Sequence, residues 1–257
     1  MAFSAEALAG DLTRLGVRRG GVLMVHSSLS AIRQVDGGAA AVIQALGMAL
    51  GPEGTLVMPA FRDSLCLPGL HRSLPEDVLR GAMQISPPDP DGVAPTSMGT
   101  IPETFRLTEG VRRSAHPTSA VTARGPKSAE ILEPHPLAYA TGPSSPFARL
   151  HALDAQQLLL GVGFNRLTML HYVENRVPHG RRKTRVVPLG DEIVLAGDVG
   201  DDMDVHFPEI GRRAIAAGIV HQGLVGEAPS VLMESAAIVA LAEAYLSHAL
   251  LAPGEDA

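Results

Sequence analysis

The sequence predicts a layered α/β domain with a mostly buried β-sheet. Short apolar runs predict buried strands at residues 21–25, 55–58 and 157–162. Segments with apolar residues at helical spacing lie between these strands, and such alternation is typical of a sheet covered by helices. No internal repeat and no clear linker divides the 257 residues, so we predict one domain over residues 1–257.

Two helices are well marked near the start of the chain. Residues 4–15 carry leucines at helical spacing and begin with Ser4, a residue type that caps helix N-termini. Residues 37–50 show the same spacing, and the Gly51-Pro52 pair that follows stops a helix. Both segments are therefore predicted to pack an apolar side against the sheet.

The middle of the chain is less regular. The strand at 55–58 is predicted to end at Pro59, and residues 63–97 contain many Pro, Asp, Ser and Gly residues with little periodicity. A structureless connection of this length is uncommon in a domain, so we interpret it as a substrate loop. Later segments predict helices at 101–107, 126–132, 165 onward, 207–217 and 230–248, a strand at 120–123, and a strand pair ending near 196.

Composition excludes several classes of protein. The formal net charge is −6, which offers nothing to nucleic acid and is compatible with a cationic ligand. No apolar stretch approaches the roughly 20 residues that span a bilayer, and the N-terminus lacks a leader pattern, so we expect a cytoplasmic protein without a membrane partner. A single cysteine, Cys66, excludes a disulfide framework and a thiolate zinc site, and without a His-Glu-x-x-His motif we expect no metal.

The first strand leads into a loop suited to an anion. His26-Ser27-Ser28-Leu29-Ser30-Ala31-Ile32 follows the strand, and Asp36-Gly37-Gly38 opens the next helix. Backbone amides, short hydroxyls and the helix dipole at such a junction suit a phosphate or pyrophosphate. A capped loop without a ligand is the alternative, and the segment has neither a Walker phosphate loop nor a dinucleotide fingerprint.

A second polar segment follows the third predicted strand. In Thr168-Met169-Leu170-His171-Tyr172-Val173-Glu174 a helix would place His171 and Glu174 on one face. An imidazole and a carboxylate at the end of a buried strand suit proton transfer or cation binding. A solvent-facing pair on a helix surface is the alternative.

Other charged residues remain open to two interpretations. The segment Arg112-Arg113-Ser114-Ala115-His116 suits an anion, or His116 is a structural histidine whose ring binds nearby backbone. Asp63 lies just past the second strand, where ligand crevices open, or it is a solvated loop residue. Four later acids either offer negative charge to a polycationic ligand or cap a helix: Asp201, Asp202, Asp204 and Glu209.

Taken together, these segments resemble the aminoglycoside 3-N-acetyltransferase family from about Leu15 to Tyr245. The matching motifs follow the family's order: Val25-His26-Ser27-Ser28-Leu29, Asp36-Gly37-Gly38, Gly54-Thr55-Leu56-Val57-Met58-Pro59, Arg113-Ser114-Ala115-His116-Pro117, Ser145-Pro146, Leu158-Leu159-Leu160-Gly161, Leu170-His171-Tyr172-Val173-Glu174 and Gly223-Leu224-Val225-Gly226-Glu227-Ala228. The resemblance implies a single layered α/β domain in which helices flank a mixed β-sheet.

The resemblance also implies acetyl-coenzyme A as the acyl donor, held at the first strand-loop junction through backbone and hydroxyl groups. The cofactor-binding residues that it implies are His26, Ser27, Ser28, Leu29, Ser30, Ala31, Ile32, Arg33, Val35, Gly37, Gly38, Arg113 and Ser114. Arg33 departs from the family pattern, which usually has glycine there. This arginine either alters the cofactor loop or adds a phosphate contact.

The implied reaction is acetyl transfer to the 3-amino group of a 2-deoxystreptamine aminoglycoside, a polycationic partner, which gives antibiotic resistance. His171 is the expected general base, and Thr168 or the amides of the Ser27-Ser28 segment would bind the thioester oxygen. Glu174 either orients His171 or pairs with a substrate ammonium, and Glu209 or Asp204 is the alternative orienting group. The expected substrate-binding residues are Asp63, Glu174, Asp204 and Glu209.

Besides a metal-dependent hydrolase, which the lack of a metal-ligand motif disfavours most, two alternatives to this function stay open at the level of the sequence. One is an acetyl-coenzyme A-dependent N-acetyltransferase that acts on another amine or amino sugar. The other is a protein that binds cationic ligands without turnover, which the His171 helix disfavours because sequestration needs only carboxylates. Either a monomer or a homodimer is compatible with the sequence.

Overall fold

The computed structural model describes residues 2–87, 89, 94–199 and 203–250, without the side chains of residues 203 and 204. Its strands are β1 (Val22–Ser27), β2 (Thr55–Phe61), β3 (Cys66–Pro68), β4 (Arg112–Arg113), β5 (Ser119–Arg124), β6 (Gln156–Leu160), β7 (Arg182–Leu189), β8 (Glu192–Val199), β9 (Val220–Val225) and β10 (Ala228–Glu234). Its helices are α1 (Ala5–Leu15), α2 (Leu29–Ile32), α3 (Gly38–Leu50), α4 (Glu76–Ile85), α5 (Thr100–Arg106), α6 (Ser128–Leu132), α7 (Pro146–Ala152), α8 (Met169–Glu174), α9 (Met203–Ala216) and α10 (Ser235–Ala249).

The main sheet is mixed, as the family resemblance implied. Its seven strands run in the order β4-β5-β2-β1-β6-β10-β9. The central strands β2, β1 and β6 are parallel, whereas β5 and β10 flank them in antiparallel pairing. A second sheet of three antiparallel strands, β3-β7-β8, lies beside the first. The predicted α/β class, with helices flanking a mixed sheet, is confirmed.

Helices cover both faces of the main sheet, and β1 shows how the two layers are built. Leu23 and Val25 pack with residues of α1, α3 and α5, on what we call the α3 face. Val22 and Met24 pack with residues of α7, α8, α9 and α10, on the α8 face. Because side chains alternate along a strand, His26 belongs to the α8 face. The buried run in β1 is therefore explained by burial on both sides.

Several predicted elements are confirmed close to their expected bounds. The Ser4 hydroxyl accepts a hydrogen bond from the Ala7 amide at 3.3 Å and caps α1. Gly51 ends α3 with φ +70°, a conformation that favours glycine.

Three predictions of secondary structure were wrong. Pro59 does not end β2, which continues to Phe61. The pairing of β2 with β1 stops at Val57, so Pro59 needs no backbone amide to donate a hydrogen bond to β1. On the other side, Pro59 lies opposite Val121 of β5. The supposed structureless segment 63–97 contains β3 and α4, and the predicted helix at 230–248 begins only at Ser235, after β10. Within the described residues, no helix has both the length and the apolar character needed to cross a membrane.

Candidate active site

The site lies at the carboxyl ends of β1 and β6, two adjacent parallel strands. The chain after β1 turns to α3 on one face of the sheet, whereas the chain after β6 turns to α8 on the other face. Ligand crevices of α/β sheets form at such switch points. The two connections approach closely, since a Cβ on Gly161 would lie 2.4 Å from the Ala31 Cβ, and Gly161 has φ +70°. Only glycine suits this position.

The helix α8 presents an imidazole that is held by a buried carboxylate. His171 Nδ1 lies 2.7 Å from Glu174 Oε2, and Glu174 is completely buried. The His171 side chain is 18% exposed and packs on Phe207, with 4.9 Å between the ring centroids. In the neutral imidazole the Nδ1–H group donates a hydrogen bond to this carboxylate, so Nε2 carries the lone pair. The arrangement of this pair is that of an oriented general base.

A cleft of about 350 Å³ opens beside His171. Its lining comes from the end of β2, the loops near 97 and 118, the start of α8 and the second sheet: Phe61, Arg62, Asp63, Ser64, Cys66, Ser97, Met98, Thr118, Ser119, Thr141, Thr168, His171, Lys183, Arg185, Asp198 and Val199. Thr168 is 7% exposed, and within the described part of the chain its hydroxyl has no hydrogen-bond partner. The structure therefore brings Thr168, His171 and Asp63 to one cleft.

The connection after β1 has the features expected of an anion-binding loop. The Ser28 and Ser30 hydroxyls lie 3.0 Å apart at the surface, and Gly37 and Gly38 both have positive φ at the start of α3. The 13-residue helix α3 directs its first amides toward this loop. These exposed donors could bind an anion such as a phosphate group.

Other residues of the same loop anchor it to the protein. Ile32 is fully buried on the α3 face, Val35 packs against that layer and bridges to Phe3, and Leu29 and Ala31 pack there too. Their side chains therefore contribute to the core, and only their backbone groups remain for binding a ligand at the loop. Ser27 has a buried hydroxyl without a partner among the described residues.

His26 is buried below the site on the α8 face. Burial lowers its pKa to about 3, and electrostatic interactions with His171 and Arg166 act in the same direction. Its Nε2 is buried without a hydrogen-bond partner among the described residues. His26 is thus a neutral side chain that lies close to His171. Sequence patterns do not reveal this neighbour relation, because the two residues are far apart in the chain.

Arg113 and Ser114, which the resemblance implied as cofactor-binding residues, lie apart from the loop after β1. They lie at the edge strand β4, and β5 and β2 separate that strand from β1. The Ser114 hydroxyl accepts from the Val121 amide at 2.9 Å and bonds His135 Nδ1 at 2.8 Å, whereas Arg113 donates to the carbonyl of His116 at 3.2 Å. Internal contacts account for both residues.

His116 takes the structural role that was one of its two interpretations. Its Nδ1 accepts hydrogen bonds from the amides of Thr118 and Ser119 at 3.2 and 2.9 Å. Burial lowers the pKa of His116 to about 4, and that of the adjacent His135 to about 3. Both rings are neutral hydrogen-bonding groups of the fold.

The later acids are placed differently from one another. Glu209 forms ion pairs with Arg212 and Arg213, at 2.6 Å to the Arg213 Nε, so it does not orient His171, whose partner is Glu174. Asp204 is the second residue of α9, but its side chain lies outside what the structure describes, as do Asp201 and Asp202 entirely.

Two cleft residues were not anticipated from the sequence. Arg185 of β7 donates to the Ser64 hydroxyl at 2.6 Å and pairs with Asp198 of β8 at 3.1 Å. Both are mostly buried, and Lys183 lines the cleft beside them. Only the pairing of β7 with β3 and β8 brings these charges to the cleft. No group of His, Cys, Asp and Glu in the described ranges could hold a metal ion.

Comparison with known proteins places this geometry in a family. The family model for aminoglycoside 3-N-acetyltransferase matches residues 24–247. Aminoglycoside N(3)-acetyltransferase III of Serratia marcescens is 34% identical, over 96% of this chain and 98% of its own length. The structure of AAC-IIIb with CoASH superimposes with a TM-score of 0.86 at 30% identity, covering 99% of this chain and 100% of that chain.

A third relative, AAC-VIa bound to sisomicin, has a TM-score of 0.85 at 33% identity and covers 98% of this chain and 100% of its own. The matched region contains both the loop after β1 and the helix that carries His171 and Glu174. Sequence, fold and site geometry agree, and the chain belongs to the aminoglycoside 3-N-acetyltransferase family.

Proposed function

We propose that the protein transfers the acetyl group of acetyl-coenzyme A to the 3-amino group of a 2-deoxystreptamine aminoglycoside and so gives resistance to the antibiotic. The observation that carries the proposal is the His171–Glu174 pair, with 2.7 Å between Nδ1 and Oε2, at the edge of an open cleft. Family members with bound coenzyme A and bound sisomicin support this choice of donor and acceptor.

His171 acts as the general base. An ammonium group has no lone pair for attack on a thioester, and ordinary amines have a pKa of about 10. Because Glu174 accepts a hydrogen bond from Nδ1–H, His171 Nε2 is available to take a proton from the attacking amine. A positioned base of this kind contributes about 10²–10⁴-fold to the rate. The proton passes from the amine nitrogen to Nε2 as the new carbon–nitrogen bond forms. The carbon–sulfur bond of the thioester then breaks, and coenzyme A leaves as a thiolate that takes up the proton.

Glu174 keeps His171 in the reactive tautomer and stabilises the imidazolium that forms. The carboxylate is fully buried, and its other oxygen, Oε1, has no hydrogen-bond partner among the described residues. Such a carboxylate is not screened by water, so its charge acts strongly on the ring. This is the role of the acidic member of a hydrolase triad, without a protein nucleophile.

Thr168 is the side-chain donor best placed for the developing negative charge on the thioester oxygen. It lines the cleft one turn before His171, and no group in the described residues uses its hydroxyl. An oriented donor to an oxyanion contributes about 10²–10³-fold when water is excluded. The backbone amides of the Ser27-Ser28 segment are the alternative source of this hydrogen bond.

Acceptor binding falls to the cleft beside His171. Asp63 is exposed at the mouth and offers a carboxylate to an ammonium group. Arg185 and Lys183 also line the cleft, and this observation favours a second candidate, an amine or amino sugar with fewer positive charges. We retain both acceptor classes for the test.

The test combines acetyl-coenzyme A with a panel of aminoglycosides and simpler amino sugars and follows thiol release. Acetylation of the 3-amino group, located by NMR of the product, supports the proposal, and expression in a susceptible strain should raise the inhibitory concentration. His171→Ala in the same assays should abolish both effects. Turnover only with simple amines would select the second acceptor class, and tight binding without thiol release would reject an acetyltransferase.

We further infer a single domain and a cytoplasmic location, where acetyl-coenzyme A is available. Size-exclusion chromatography with light scattering decides between a monomer and a homodimer. An assembly larger than two chains would contradict this expectation.

A further inference from the structure

Arg33 has a backbone conformation that is ordinarily left to glycine. Its φ is 74° and its ψ is −132°, at the residue that ends α2 in the loop after β1. A side chain is disfavoured there because the Cβ crowds the neighbouring backbone. Strained residues of this kind persist where a function requires them, and they concentrate at ligand sites.

Contacts within the protein do not compensate for this strain. The Arg33 side chain is 70% exposed and meets one acid, Glu227, with 3.5 Å between Nε and Oε2. Glu227 is itself 62% exposed. An ion pair in contact with water contributes little to stability. The folded protein alone therefore gives no reason for an arginine at this position.

The pair spans the carboxyl end of β6 at the proposed donor site. Arg33 follows β1 and Glu227 precedes β10, and β6 lies between those strands in the sheet. Gly161, at the end of β6, has Ala31 on one side and Ala228 on the other, and a Cβ added to this glycine would lie within 3.2 Å of both. Neither member of the ion pair lines the cleft beside His171. The Arg33 guanidinium therefore lies on the side of the site where the acetyl donor is proposed to bind.

We propose that Arg33 binds a phosphate group of the coenzyme A donor, and that Glu227 holds its guanidinium in the free enzyme until the phosphate replaces the carboxylate. This inference rests on the donor named in the proposed function. A guanidinium offers two parallel N–H groups to phosphate oxygens. The phosphate groups of coenzyme A together carry more negative charge than one carboxylate. The exchange makes the enzyme distinguish coenzyme A from pantetheine, which lacks the nucleotide phosphates.

Direct binding without an acceptor tests the exchange. Isothermal titration calorimetry measures the affinity for coenzyme A, 3′-dephospho-coenzyme A and pantetheine. The proteins compared are the wild type and the variants Arg33→Gly and Glu227→Gln. Arg33→Gly should weaken coenzyme A binding about tenfold, the loss of one charge-assisted contact, and leave pantetheine binding unchanged. Glu227→Gln should tighten coenzyme A binding severalfold because the competing carboxylate is gone. Arg80→Ala removes an equally exposed arginine from an ion pair with Glu76 in α4 and should change neither affinity.

Thermal unfolding gives a second readout. Arg33→Gly should raise Tm, because glycine adopts φ +74° without strain. Equal weakening of coenzyme A and pantetheine would show that Arg33 only shapes the loop, and an unchanged coenzyme A affinity in either variant would reject the exchange. The proposed acceptor can fail separately, since a protein that binds coenzyme A through Arg33 but acetylates no aminoglycoside would refute that function and leave this inference standing.

Discussion

Glu174→Gln isolates the contribution of the buried carboxylate to catalysis. Glutamine keeps the shape of the side chain and removes its charge. Glu174 is fully buried, its Oε2 lies 2.7 Å from His171 Nδ1, and Oε1 makes no hydrogen bond within the described ranges. The substitution therefore acts almost entirely on the imidazole, and the packing around it is preserved.

Two effects set the expected fall in kcat: the loss of a hydrogen bond to a charged group and a change in the tautomer of His171. A hydrogen bond to a charged group is worth about 1.5–3 kcal/mol, which corresponds to a rate factor of about 10–150 at 1.36 kcal/mol per factor of ten. A glutamine amide can also donate to Nδ1, which moves the ring proton to Nε2 and removes the base; in a serine protease triad the equivalent change costs about 10⁴ in kcat. We expect kcat to fall by about 10²–10⁴.

The assay is thiol release with the best acceptor of the panel, with kcat and KM measured separately. The KM for acetyl-coenzyme A should stay within about twofold. Tm should not fall, because the neutral glutamine avoids the cost of burying a carboxylate charge. The double variant with His171→Ala should be no slower than His171→Ala alone, as expected of residues that act as a unit.

Two results would refute this reasoning. A kcat within about threefold of the wild type would mean that Glu174 does not orient the base. An effect confined to the KM of the acceptor would assign Glu174 to a substrate ammonium instead.

Three further outcomes are expected. Thr168→Val should lower kcat about tenfold or more through loss of the oxyanion donor, with Thr141→Val as the control in the same cleft, and equal losses in both would contradict the role of Thr168. Gly161→Ala should weaken coenzyme A binding and lower Tm by several degrees more than Gly190→Ala, which also has positive φ but open space around its Cβ; equal effects would show that crowding is not the cause. Three buried histidines have pKa values lowered by burial to about 3 or 4: His26, His116 and His135. Between those pKa values and about 6.5, the unfolded chain binds more protons than the folded protein. The free energy of unfolding is therefore unaffected by these groups above about pH 6.5. It falls as the pH is lowered below that value, by about 1.4 kcal/mol per pH unit for each histidine. Urea unfolding at pH 7 and pH 5 measures this loss, and equal free energies at both would contradict it.

Local sequence was sufficient for elements whose determinants lie within a few residues. The cap of α1 by Ser4 and the end of α3 at Gly51 follow from short-range hydrogen bonds and backbone preferences. The same is true of the most important pair of the site. His171 and Glu174 lie one helical turn apart, so a helix alone brings them together.

Local patterns failed where pairing with distant strands decided the structure. The segment 63–97 has no strand signal of its own, and β3 forms because Cys66–Pro68 pairs with β7. The predicted helix at 230–248 included residues 230–234, but these residues belong to β10, which pairs with β6. Strand formation depends on partners that the local sequence does not contain.

The sequence by itself determined the fold class, the loop after β1 and the histidine–carboxylate pair, because each depends on short-range periodicity and spacing or on motifs in a fixed order. Only the tertiary structure decided which charges meet. It brought Arg185 and Asp198 to the cleft through the second sheet, and it kept Arg113 and Ser114 at the far edge of the main sheet. Burial and proximity arise from neighbours that are distant in the chain, so the surroundings of a charged side chain are set by packing and strand order.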